Sequence, residues 1–144
     1  MRIKTSPLWL GISLVAATVG LPGALLHAQE VHTVNVEDLP KMDGNHLRAE
    51  VIEVNYPPGG STPPHTHPCP VIGVVVEGSI RSQVKGQPEA VYQAGQSFYE
   101  PPNGVHLVSA NADNSKPAKL LAFFVCDHKT PLTVMLPQAK SSTK

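Results

Sequence analysis

The amino-acid sequence predicts an all-β domain, a sandwich or barrel of about eight short strands, behind an N-terminal leader. Three observations carry that prediction. Beyond residue 28, apolar residues alternate with polar ones or form short apolar runs, and none recurs at helical spacing. The 15 prolines and 11 glycines are spread along the chain as punctuation between those runs. A length of 144 residues, with no sequence repeat, suits one such domain.

The leader comes first. Arg2 and Lys4 precede the apolar run PLWLGISLVAATVGLPGALL, and the small residue Ala28 stands before polar Gln29. A basic start, an apolar middle and a small residue at the cut define a secretory signal peptide over residues 1–28. Gly20, Pro22 and Gly23 interrupt the run, which favours cleavage over an uncleaved anchor. Losing Arg2 and Lys4 with the leader leaves nine basic residues against eleven acidic ones, a net charge of −2. No basic cluster occurs anywhere, which argues against nucleic acid as a partner and, once the leader is cut, against electrostatic attachment to membranes. The expected destination is a secreted or bacterial periplasmic setting, where disulfides persist.

Residues 29–47, QEVHTVNVEDLPKMDGNHL, read as an N-terminal arm with one short strand. The barrel is expected over 48–128. RAEVIEVNY alternates with period two and carries β-branched residues. PVIGVVVEGS is a nearly continuous apolar run closed by Glu77-Gly78, the pattern of a strand buried on both faces. In IRSQVKG, Arg81, Gln83 and Lys85 interleave with Ile80, Ser82 and Val84. EAVYQAG turns at Gly95; QSFYEPPNG, VHLVSA, the polar loop NADNSKP and the apolar AKLLAFFVCD follow. Residues 129–144 end in LPQAKSSTK and read as a loose C-terminal tail.

The chemistry concentrates in HTHPCPV. On a strand, residues two apart share a face, so His65 and His67 aim two imidazoles into one space. A third histidine, His106, stands just beyond a Pro/Gly turn in AGQSFYEPPNGVHLVSAN. These stretches resemble the two motifs of the cupin superfamily, G-x5-H-x-H-x(3,4)-E-x6-G and G-x5-P-x-G-x2-H-x3-N. Gly59, His65, His67 and Gly78 match the first motif; Gly95, Pro101 and His106 match the second. The resemblance covers residues 48–126, with SIRSQVKGQPEAVYQ as the hairpin between motifs. It implies a single-domain cupin jelly-roll, a double-stranded β-helix barrel, with the three histidines turned inward to one divalent metal. Iron(II) is the first expectation, followed by manganese, zinc or nickel. By the same analogy, EVHTVNVEDL offers a strand for homodimerisation.

The departures from the pattern sharpen the reading. Val71 stands where the family carries its glutamate ligand, and valine cannot ligate. Asn103 replaces the glycine of P-x-G, a swap that left-handed backbone permits. The final asparagine falls one place late, at Asn111, with Ala110 in its usual position. Three arrangements stay open. In the first, His65, His67 and His106 alone hold the metal and leave it the full 2+ charge, favouring anionic chelators; three-histidine cupins occur among thiol and β-dicarbonyl dioxygenases. In the second, Cys69 adds a thiolate, although Pro68 and Pro70 oppose a regular strand there. In the third, Cys69 pairs with Cys126.

Glu100 and Tyr99 are candidates to orient a ligand from just before the second turn, with Glu100 otherwise a solvated strand end. Arg81 and Gln83 read as either solvent-facing or substrate-binding. His32, His46 and His128 fall outside both motifs and are expected at the surface. The function expected is a mononuclear, dioxygenase-like metalloenzyme acting on a small anionic or chelating molecule. The alternative is a cupin module that binds a metal or small ligand without turnover.

Overall fold

The computed structural model describes residues 30–137. Ten strands follow in chain order: β1 (Arg48–Tyr56), β2 (Ser61–Thr62), β3 (His65–Thr66), β4 (Val71–Glu77), β5 (Ser79–Val84), β6 (Ala90–Gln93), β7 (Ser97–Glu100), β8 (Val105–Asn111), β9 (Ala118–Cys126) and β10 (Val134–Met135). No helix occurs among the described residues. The leader at 1–28 and the tail residues 138–144 lie outside them.

The strands form two antiparallel sheets. One runs β1-β9-β4-β7; the other runs β10-β3-β8-β5-β6, with β2 also pairing β8. Alternation decides which side chains meet between them. Along β9, Ala118, Leu120, Ala122, Phe124 and Cys126 are buried, while Lys119, Leu121, Phe123 and Val125 turn outward. Phe124, Ile80, Val71 and Val75 are almost fully buried. Each such side chain contributes about 1.5–3 kcal/mol. Gly73 leaves room for Phe98, its partner across the β4–β7 ladder: a Cβ there would sit 2.5 Å from the Phe98 ring.

Three expectations need correction. β4 is buried on one face only: Ile72 and Val74 are half-buried and Val76 is exposed, because no further layer among the described residues covers the outer side of this sheet. The described part of the arm, residues 30–47, contains no strand; Val34 and Val36 are exposed, and the Ser97 Oγ–H donates to the Val34 carbonyl at 3.3 Å. The segment after residue 129 is not loose throughout. β10 pairs antiparallel with β3, the Leu136 N–H donates to the Pro64 carbonyl at 3.0 Å, and Leu132 packs on the core. The free edge of β3 and one apolar side chain are what a composition-based reading of this segment overlooks.

Two turns set the barrel's corners. Gly78 has φ +69°, and a Cβ there would lie 2.6 Å from the Pro117 carbonyl oxygen. Asn103, at φ 59°, takes the left-handed backbone expected of it and donates its N–H to the His67 carbonyl at 2.6 Å. The second motif's turn is thereby tied to the first motif's histidine.

Candidate metal centre

Strand pairing brings the motifs together. His65 of β3 stands opposite His106 of β8, and His67 follows two residues beyond His65. A bulge in β8 then matters. Val84 pairs with His106 but Gln83 pairs with Val108, which leaves Leu107 as an extra, exposed residue. That residue lets His106 and Ser109 face the same interior. It also accounts for the late asparagine: Asn111 is buried, its Nδ2 donates to the carbonyls of Pro57 (3.0 Å) and Lys116 (2.7 Å), and its Oδ1 accepts the Asp113 N–H at 2.9 Å.

A carboxyl group stands across the sheet from Val71. Val71 of β4 pairs with Glu100 of β7, so both side chains rise from the same face into the same space. Glu100 is 4% exposed, which corrects the reading of it as a solvated strand end. Its Oε2 lies 2.8 Å from His106 Nδ1 and 3.5 Å from His67 Nε2. Glu100, His65, His67 and His106 each present one ligand atom, and these four atoms all lie within 4.8 Å of one another. The three expected histidines come together, and a fourth side chain that the motif reading did not include among them, the carboxyl group of Glu100, faces the same point.

Hydrogen bonds fix how the rings present themselves. His65 Nδ1 donates to the Pro63 carbonyl at 2.8 Å, and His67 Nδ1 donates to the Leu132 carbonyl at 2.7 Å. A carbonyl only accepts, so each Nδ1 carries the hydrogen and each neutral ring has a bare Nε2. Those two nitrogens are 3.1 Å apart. Two lone pairs cannot bond one another; a cation between them resolves the contact. Burial above all pushes the His65 imidazole below its ordinary value, against the upward pull of the Pro63 carbonyl, and so favours the neutral, ligating form.

On His106 the roles reverse. Nε2 lies 2.9 Å from Ser82 Oγ, while Nδ1 faces Glu100. His106 Nδ1 and Glu100 Oε2 are buried, and neither has a hydrogen bond of good geometry although they approach closely. Orphaned buried polar atoms of this kind call for a partner. Three imidazoles and a carboxylate, two of their atoms orphaned and two facing lone pair to lone pair, fit a divalent cation.

Beside these residues lies a cavity of about 90 Å³. Ile52, Val54, Leu120 and Phe124 form its apolar side; Tyr56, Thr62 and Ser109 bring hydroxyls, and Thr133 stands among its walls. Among the described residues, no lysine or arginine lines it. Tyr99 does not reach it. It alternates with Glu100 along β7 and lines a separate groove with Val34 and Glu37, where burial and then the Glu37 carboxylate raise its phenol above the ordinary value. The ligand-orienting role expected of Tyr99 is therefore corrected. Arg81 is exposed and pairs with Glu89 at 3.2 Å, and Gln83 bonds the Gln87 carbonyl, so neither binds in the cavity. His46 and His128 are exposed, each against a neighbouring aspartate, Asp43 and Asp127.

Cys69 is joined to Cys126 in a disulfide, with Cα atoms 5.2 Å apart. Its sulfur is thus unavailable to a metal, and the thiolate-ligand reading is corrected. The residues that orient the rings escaped sequence reasoning: Ser82 looked like an ordinary alternation position, and backbone carbonyls at Pro63 and Leu132 carry no residue-type signal at all.

The cupin domain family matches residues 52–124. Among curated proteins, the chain is 35% identical over 71 residues to germin-like protein subfamily 1 member 7 of Arabidopsis thaliana, covering 49% of this chain and 28% of that one. It is 29% identical over 115 residues to oxalate oxidase GF-3.8 of Triticum aestivum, covering 74% and 49% respectively. The chain thus spans less than half the length of these relatives. A solved structure of recombinant oxalate oxidase in complex with glycolate superposes with a TM-score of 0.52 at 22% identity, covering 70% of this chain and 62% of that one. With the domain match extending over half its length and the three motif histidines converging inside a two-sheet jelly-roll, the chain belongs to the cupin superfamily.

Proposed function

We propose that this chain is an exported metallo-cupin in which His65, His67, His106 and Glu100 hold one divalent cation, and that it oxidises a small oxygen-bearing anion. The observation that carries the reading is the convergence of four buried ligand atoms within 4.8 Å, two of them without any well-formed hydrogen bond. Iron(II) or manganese(II) suits three imidazoles and a carboxylate. Such an ion, when bound, supplies a Lewis-acidic centre and one-electron chemistry toward O₂. The chain's own part is to fix three ring orientations through Pro63, Leu132 and Ser82, to cancel one unit of charge with Glu100, and to exclude bulk water.

Cavity size narrows the substrate. A cavity of about 90 Å³ is small and favours a two- or three-carbon acid over larger ligands. The sequence similarity to an oxalate oxidase supports that class. The buried Cys69–Cys126 disulfide, together with the leader expected at 1–28, supports an oxidising compartment. Apart from the four site residues, Tyr56 is the only titratable group among the described residues that lines the cavity, which favours metal-centred chemistry over acid–base isomerisation and keeps a non-catalytic binding module as the second reading.

The protein purified from an oxidising compartment is expected to hold one equivalent of metal by elemental analysis, and His65→Ala and His106→Ala are each expected to abolish it. Retention of metal by both variants overturns the centre. O₂ uptake by the iron(II)- or manganese(II)-loaded protein with two- and three-carbon acids then separates the readings: turnover supports the oxidase, while ligand binding with no turnover across the set supports the module. Ser82→Ala should lower metal affinity about 10- to 100-fold in chelator competition without loss of fold, since it removes the acceptor that orients His106. Unchanged affinity would remove Ser82 from this role.

A further inference from the structure

A row of hydroxyls lies one step along the barrel from the histidines. Thr62 pairs with Ser109, and Ser109 with Ser82, in register next to the His65–His106 pair; the β8 bulge is what turns Ser109 inward. Tyr56 reaches this row from the opposite sheet. Its hydroxyl lies 2.8 Å from Thr62 Oγ1 and 2.8 Å from Ser109 Oγ. All three residues line the same cavity as the histidines, and Tyr56 and Ser109 are 6% and 4% exposed.

Counting protons gives this cluster a direction. Tyr56, Thr62 and Ser109 carry one O–H each, and two contacts among them consume two. The third O–H is surplus to the cluster. Among the described residues no lysine or arginine lines the cavity, so an anion there has no such side chain to anchor its outer end. Neutral donors are the remaining means of holding it.

We infer that the Tyr56–Thr62–Ser109 hydroxyl cluster is the second anchor of the ligand site, donating to the outer oxygen of a two- or three-carbon carboxylic acid whose inner end is at the metal. This rests on the metal-binding reading proposed above. The ligand's carbon skeleton lies against Ile52, Val54 and Leu120, and the cluster discriminates by hydrogen bonding: an acid whose far end is a methyl group leaves the surplus donor unpaired and binds more weakly.

The test is calorimetric titration of glycolate into the zinc(II)-loaded protein, a redox-silent form, with zinc affinity measured separately by chelator competition. Tyr56→Phe keeps the ring and removes the hydroxyl that holds Thr62 Oγ1 and Ser109 Oγ in place, so their O–H groups are no longer aimed at the ligand. It is expected to weaken glycolate about 10- to 100-fold while leaving zinc affinity within about 2-fold. Thr62→Val, at the rim of the cluster, is the second variant should Tyr56→Phe fail to fold, with the same expectation. Glycolate affinity unchanged with zinc still bound overturns the inference and leaves the metal centre standing. So does wild-type protein that binds zinc and not glycolate. A joint fall in zinc and glycolate affinity shows that the hydroxyls only support the fold, which also overturns it. Wild-type protein that takes up no zinc, iron or manganese defeats the metal-centre reading first.

Discussion

Glu100→Gln is expected to lower divalent-metal affinity by roughly 100- to 1,000-fold, because it leaves a buried cation without its only anionic partner. The substitution keeps the shape and exchanges one acceptor oxygen for an NH2 donor, so the fold and the three imidazoles stay in place while the anionic ligand is lost. Stability without metal should change far less than metal affinity does, because the buried side chain is replaced by one of the same size. Chelator competition and thermal unfolding with and without metal separate the two effects. The strand register adds a sharper variant. Val71 and Glu100 face each other across the β4–β7 ladder, so the exchange Val71→Glu with Glu100→Val moves the carboxylate to the first-motif position without changing which interior it enters. That double variant should recover most of the affinity lost by Glu100→Gln. Unchanged affinity in Glu100→Gln would remove the carboxylate from the centre and leave three imidazoles alone.

The sequence made some of this arrangement legible and hid the rest for physical reasons. Residue spacing located His65, His67 and His106, because a two-residue period on a strand and a turn of known shape fix directions locally. The β1 boundaries, Arg48–Tyr56, follow from simple alternation in the same way. Glu100 could not be assigned from local pattern, because its role depends on which residue of a distant strand it pairs with. Val71 looked like a lost ligand when read along the chain; read across the sheet, it marks where the replacement stands. The late Asn111 had a similar cause. An inserted residue is invisible in composition, and only the unmatched Leu107 in the β5–β8 ladder shows that it was absorbed as a bulge. Carbonyl groups from Pro63 and Leu132 lie beyond any residue-type argument, since every residue has one. The β10 segment was misread for that reason: polar composition suggested a tail, whereas its backbone both pairs with β3 and fixes the His67 ring.

Removing the disulfide, as Cys69→Ala with Cys126→Ala, is expected to cost about 4 kcal/mol of stability through the freed chain entropy of the unfolded state. The two cysteines are 57 residues apart, so the loop they close includes β4 to β8 and most of β9. For a domain of this size that loss corresponds to a fall in Tm of roughly 15–30 °C. Both cysteines are 2% exposed, so reductant should act on the native protein only as fast as local opening allows. The consequence for the metal is separate and smaller. Cys69 lies two residues after His67, and Cys126 two residues after Phe124, whose ring packs edge-on against His67 at 5.2 Å between centroids. The crosslink therefore clamps both sides of His67. His67 also keeps its Leu132 carbonyl and the Asn103 N–H on its own carbonyl, neither of which depends on the disulfide. Metal affinity measured well below the lowered Tm should thus fall by much less than stability does. A Tm within a few degrees of wild type would show that packing of β4 against β9 holds the barrel without the crosslink; an equal collapse of metal affinity at low temperature would show that the disulfide, and not the hydrogen bonds, positions His67.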